Sequence, residues 1–408
     1  MAERRISAYF VPIAQPKKKG KDRQKTFDDW TADRIEENHT VNFIRQRVRI
    51  WREGGYAQVT PVTRRLLEHW KGEDRYRRLF FCQIEALETL IYITEIAHKF
   101  GDQVITNDLR RFAADANPDL YRIACKMATG SGKTVVMAMV IAWHTLNKLA
   151  NPQDNRFSDT FLIVTPGITI RDRLRVLMPN DPGNYYEQLD VVPPDLKDQL
   201  LKARILITNF HAFKRREKVK AGKLTKQILS GGDSTAFTES EGEMVRRVCR
   251  GLGHKKNIIV LNDEAHHCYR RRVDGEEEVK LTGDDRKESQ QREEEARIWI
   301  SGLEAVKRKI GIKTVYDVSA TPFFLRGSGY SEGTLFPWVV SDFSLIDAIE
   351  CGIVKVPRVP VSDDSMISDL PTYRDLWLHV RDDLPKKRPT KESAGQEPKV
   401  RAVLEGAS

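Results

Sequence analysis

Eight residues restrict the fold of this chain more than any other feature: Met127-Ala128-Thr129-Gly130-Ser131-Gly132-Lys133-Thr134. They follow a short apolar run of β character and open a stretch, 135–149, that reads as an amphipathic helix. Glycines in a turn between strand and helix let backbone N–H groups close around phosphate oxygens, and the helix N-terminus adds a favourable dipole. Thr129, Gly130, Ser131 and Gly132 would form the cradle. Lys133 would reach the β- and γ-phosphates, and Thr134 would offer its hydroxyl to magnesium. The strict phosphate-loop pattern has glycine where Met127 stands, so this run is a variant of it.

Around that run the chain alternates short apolar segments with helical or loop segments, the pattern of a mostly parallel, doubly wound α/β sheet. Strands are expected at 123–127, 160–165, 204–208, 257–262 and 313–318, and a charged stretch, 274–297, reads as a loop leading into a helix that ends near Ile310. Four segments follow: a polar N-terminal region over 1–75 with a helix around 27–51, the α/β lobe over 76–330, the start of a linker over 331–362, and a Pro-, Lys- and Glu-rich tail over 363–408 expected to be disordered. The lysine cluster at 16–21 reads as a solvated segment, with a phosphate-contacting arm as the alternative.

A second motif ends the run Ile258-Ile259-Val260-Leu261-Asn262-Asp263-Glu264-Ala265-His266. A buried strand delivers acids to the carboxyl edge of a sheet, where open α/β folds bind ligands. There Asp263 can hold magnesium and Glu264 can polarise the water that attacks a γ-phosphate. The blander alternative is an acidic helix start. The neighbouring His266-His267-Cys268 also suggests zinc, although no second ligand group lies nearby in sequence. Ser319-Ala320-Thr321 follows a further strand, and its hydroxyls could hydrogen-bond near His266 and report nucleotide state to a neighbouring lobe.

In this order the three motifs resemble those of superfamily 2 helicases of DEAH type, which use an A-x-T-G-x-G-K-T-like loop; motifs I, II and III fall on 130–134, 263–266 and 319–321. The resemblance implies a P-loop NTPase lobe of RecA-like fold that uses ATP and Mg2+, with Lys133, Asp263 and Glu264 as catalytic residues. It places Gln83 where the family's adenine-reading glutamine lies; from spacing alone, a surface glutamine on an amphipathic helix fits as well. Pro166 and Arg171 lie in a segment like motif Ia, and Thr208 and Asn209 in one like motif Ib, both of which contact a nucleic-acid backbone; alternatively, Arg171 and Arg173 solvate a helix face.

Within the superfamily, the runs FFCQIEALETLIYITE, MATGSGKT, LIVTPGITIRDRL, ILITNFHAF and VLNDEAHH are similar to the helicase (Res) subunit of type III restriction enzymes, over about residues 76–358. That implies an ATP-dependent DNA helicase or translocase with DNA and a methyltransferase subunit as partners. The residues after Thr321 hold no counterpart of the family's second motor lobe, its arginine fingers or its nuclease domain. We therefore expect ATP binding with impaired hydrolysis, with a nucleotide-binding switch or a fragment without activity of its own as alternatives.

The formal charge of +10 favours a polyanionic partner. No apolar run approaches the roughly 20 residues that span a bilayer, so no membrane partner is expected and the cytoplasm is the expected location. The five cysteines lie far apart, without a metal or disulfide spacing, and read as reduced, mostly buried thiols.

Overall fold

The computed structural model describes residues 5–10, 35–216, 238–272, 284–325, 328–330 and 333–355. The lysine cluster at 16–21 and the tail at 363–408 lie outside them. Chain contacts separate two units, Met1–Val354 and Lys355–Ser408, and the description concerns the first.

Six parallel strands form the centre: β3 (Arg122–Met127), β4 (Thr160–Thr165), β5 (Arg204–Asn209), β6 (Ile258–Asp263), β7 (Ile312–Ser319) and β8 (Val339–Phe343), in the order β5-β4-β6-β7-β3-β8. Strands β3, β4, β6 and β8 are buried at every residue, as a parallel sheet covered on both faces requires. Alternate residues of β6 serve different cores. Ile259 and Leu261 join the larger one, whereas Ile258 and Val260 join the smaller. The smaller core is closed by α9 (Glu241–Val248), through Met244 and Val245, and by α10 (Asp284–Lys309), through Trp299, Ile300 and Leu303. Trp299 stacks on Phe210 with ring centroids 5.4 Å apart. Shorter helices α6 (Ile168–Arg173), α7 (Tyr185–Gln188) and α8 (Lys197–Leu200) connect β4 to β5.

The larger core surrounds α5 (Lys133–Ala150). This helix is not amphipathic: every residue from Val135 to Asn147 is buried. The reason is a second layer, α2 (Pro61–Lys71) and α3 (Phe81–Ile91), packed against α5. Polar groups in that layer are satisfied by one buried carboxylate. Glu95 accepts from the Trp143 indole at 2.9 Å, the Thr63 hydroxyl at 2.6 Å and the Thr60 N–H at 3.0 Å. Left unpaired, such donors would each cost about 1–3 kcal/mol.

Two further features depart from the sequence reading. Within the expected 27–51 helix, Ile35–Glu37 is instead a strand, β2, paired antiparallel with β1 (Ala8–Phe10), and α1 spans His39–Glu53. The Asn38 side chain caps α1 by accepting from the Val41 N–H at 3.1 Å, which stops the helix from starting earlier. Beyond residue 330, the stretch expected as a linker adds strand β8 beside β3 and helix α11 (Leu345–Glu350). Helix α4 (Gln103–Ala116) precedes β3.

Candidate nucleotide site and nucleic-acid edge

Between β3 and α5, residues 128–132 turn the chain with Gly130 at φ +84° and Gly132 at φ +87°, a left-handed region that side chains resist. At Gly132 space is also lacking, since a Cβ would meet Gln83 Nε2 at 2.1 Å. Ser131 closes the loop on itself, its hydroxyl donating to the Ala128 carbonyl at 2.7 Å. Gln83 clamps it from outside. Its Nε2 donates to the Ser131 carbonyl at 3.0 Å while its Oε1 accepts from the Phe80 N–H at 3.0 Å. At 3% exposure Gln83 is therefore not a surface residue, and its amide holds the loop. Thr129 and Gly130 are exposed, and Thr134 is partly exposed in the first turn of α5.

Strand β6 ends at Asp263, and Glu264 then takes φ +51°, ψ +50°. A non-glycine residue there costs of order 1–3 kcal/mol and persists only where its surroundings fix it. This turn brings Glu264 Oε1 to 3.1 Å from Lys133 Nζ and Oε2 to 3.5 Å from His266 Nδ1. His266 Nδ1 lies 3.0 Å from Ser319 Oγ, which also accepts from the Thr321 N–H at 3.1 Å. The three motifs thus meet through side chains at the carboxyl ends of β3, β6 and β7.

Burial sets the protonation here. The Asp263 carboxyl is pushed up to about 6 by desolvation and by the neighbouring Glu264 charge, with Lys133 opposing. His266 is pushed down to about 4 by desolvation and by His267, so its ring is neutral near pH 7. Desolvation also lowers His267.

The donors at this site fit a magnesium-bound phosphate. A glycine-held loop that a Cβ would obstruct faces two adjacent carboxylates and one lysine. Magnesium in such sites takes most of its ligands from phosphates and water and so needs no protein cage. Zinc does not fit. Among the described residues no group of three or more His, Cys, Asp or Glu could hold a metal. All five cysteines are free, four of them buried.

The residues expected at nucleic acid gather at the other side of the sheet. Val164 pairs with Thr208 and Thr165 with Asn209, which puts Pro166 beside these strand ends. Asn209 Oδ1 accepts from the Ala212 N–H at 3.2 Å and so caps the next turn. Arg171 is exposed and pairs with Asp172 at 3.2 Å, and Arg173 is exposed on the same short helix. No side-chain bond joins this group to Lys133 or Glu264 among the described residues.

Fold and site together define a P-loop α/β lobe of RecA-like type, with its candidate nucleotide site at a parallel sheet's carboxyl edge. Residues 78–324 match the family described as type III restriction enzyme, res subunit, over well more than half of the chain. The chain belongs to that family and carries its helicase-like ATP-binding domain. No curated protein and no solved structure matches it. No helix among the described residues is long and apolar enough to cross a membrane.

Sequence reasoning missed Arg122, Asn262 and Asp317, which are buried side by side behind the motifs. Their signal was faint: Asn262 ends an apolar run just before Asp263, and Asp317 stands between Tyr316 and Val318 in a strand that also carries Lys313 and Thr314.

Proposed function

We propose that this chain binds Mg-ATP at the β3, β6 and β7 ends and uses its hydrolysis to move along DNA, as the restriction subunit of a cytoplasmic type III restriction-modification system that works with a methyltransferase subunit. The observation that carries the reading is the 3.1 Å approach of Lys133 to Glu264, which joins the phosphate loop to the acidic turn. Magnesium, when bound, neutralises phosphate charge, and Thr134 and Asp263 would hold it. An arriving γ-phosphate competes with Glu264 for Lys133. Its binding frees the Glu264 carboxylate to accept a proton from the water whose oxygen attacks phosphorus as the bond to ADP breaks. His266, neutral and bonded to Ser319, links this event to the strand that ends at Thr321.

A transition-state arginine is worth about 10³–10⁵ in rate in related NTPases. Turnover therefore requires a second lobe that supplies one, on this polypeptide or another. DNA phosphates are met by Arg171, Arg173 and the groups around Pro166, Thr208 and Asn209.

Calorimetry of Mg-ATP binding tests the site. Lys133→Ala should weaken affinity roughly 10- to 100-fold, because it removes a charge-assisted phosphate contact. Equal affinity of variant and wild type would rule the site out. Glu264→Gln should bind ATP and lose DNA-stimulated turnover; unchanged turnover would exclude Glu264 as the base.

A further inference from the structure

Behind the site, one carboxylate with no solvent access ties together the three strands that lead into the phosphate loop, the acidic turn and the Ser319–Thr321 motif. Asp317, on β7, accepts from Arg122 Nε at 2.8 Å and from the Trp338 indole at 2.9 Å through Oδ2, and from Asn262 Nδ2 at 2.9 Å through Oδ1. Arg122 opens β3, the strand that ends in the phosphate loop. Its guanidinium also donates to the Cys268 carbonyl at 2.7 Å and lies 4.8 Å over the Trp338 ring. Asn262 immediately precedes Asp263 and accepts from the Trp299 indole at 3.2 Å. Cys268 ends the turn that holds His266, and Asp317 stands two residues before Ser319 on the same face of β7.

Stability alone gives a weak reason for such a pair. Arg122 and Asp317 are both fully buried, and apolar residues of similar volume are often as stable as a buried ion pair or more so. What the pair supplies is geometry. The polar partners fix the residue before Asp263, the turn after His266 and the strand bearing Ser319 against one another. Left-handed Glu264 lies between two of those fixed points and is the kind of residue that relaxes when its surroundings loosen.

We propose that Asp317, with Arg122 and Asn262, is a positioning centre for the nucleotide site: it holds the turn 263–268 and Ser319 in the geometry that magnesium-dependent ATP binding needs. This rests on the proposed function for its ATP part, but its structural part can be read without nucleotide.

The test uses the full chain and two variants. Asp317→Asn keeps the shape and removes the charge. Arg122→Met/Asp317→Asn removes both charges and so protects the fold if the single variant unfolds. In the double variant, which should melt within a few degrees of wild type, hydrogen exchange at the His267, Cys268 and Thr321 amides should accelerate about tenfold or more, while 160–165 stays within about twofold. The magnesium-dependent gain in ATP affinity should fall about tenfold, and ATP affinity in EDTA should hold within about threefold. Wild-type exchange at the three amides in a folded double variant would overturn the proposal, as would acceleration spread evenly over the sheet. A wild type that gains no ATP affinity from magnesium would instead sink the proposed function, and the exchange result would still decide whether Asp317 positions the turn.

Discussion

The two ends of this sheet use the same raw material differently. Where β3, β6 and β7 end, the motif residues touch one another: Lys133 meets Glu264, and His266 meets Ser319. Where β4 and β5 end, Pro166, Thr208 and Asn209 share an edge, but the Asn209 side chain serves a local turn and Arg171 pairs with its own neighbour. A site whose parts are already in contact is pre-organised for a small charged ligand. An edge of exposed arginines and strand ends suits a long polyanion, whose affinity adds up over many weak contacts.

The comparison can be broken most forcefully at Asp263. Its folded pKa is raised from the ordinary 3.8 to about 6, so the ionised form is the one that folding disfavours. Stability is therefore full below the ordinary value, falls as pH rises between about 4 and about 6, and stays reduced above that. Asp263→Asn removes the penalty. It should stabilise the protein near neutral pH by up to about 3 kcal/mol and make little difference near pH 4, while magnesium-dependent ATP binding is lost. Urea melts across that range measure it, and a difference independent of pH would contradict the assignment to this carboxyl.

A smaller effect sharpens the contrast between the two ends. Lys133→Ala, expected to weaken Mg-ATP binding roughly 10- to 100-fold, about 1.4–2.7 kcal/mol, should leave DNA affinity unchanged in a filter-binding titration without nucleotide. If DNA binding fell in parallel, the two ends would have to be one site. Ser319→Ala should cost about 1 kcal/mol of stability, and a double-mutant cycle with His266→Ala should show that most of it is shared. Additive losses would mean that the 3.0 Å contact carries no coupling. The smallest change belongs to the arginines: with Arg171 and Arg173 both replaced by alanine, the log–log salt slope of DNA binding should flatten by up to about 2, one per phosphate. An unchanged slope would assign both to a solvated helix face.

Strands β4 and β6 were legible because a parallel sheet covered on both faces writes itself as continuous apolar runs, Phe161 to Val164 and Ile258 to Leu261, and β3, β5 and β7 through their alternation with helical segments. Strand β8 was not. Its Asp342 breaks the run and is tolerated only because Lys126 and Ser7 reach it, at 2.9 Å and 2.6 Å. The buried face all round α5 was equally hidden, since it depends on helices that arrive from far earlier in the chain. Lys133, Asp263 and Glu264 stood out through fixed motif chemistry. Gln83 did too, yet its engagement with Ser131 is a matter of three-dimensional contact that spacing does not encode. The bond from Arg122 to Asp317 crosses 195 positions, and neither residue belongs to a motif.

The central claim, that the phosphate loop and the acidic turn form one magnesium-nucleotide site, is tested most directly by calorimetry of ATP binding with magnesium and with EDTA, in wild type and Asp263→Asn. The account predicts that wild type binds more tightly with magnesium and that the variant loses this gain while keeping its affinity in EDTA. A variant that retained the full gain, or a wild type that bound no ATP under either condition, would contradict it.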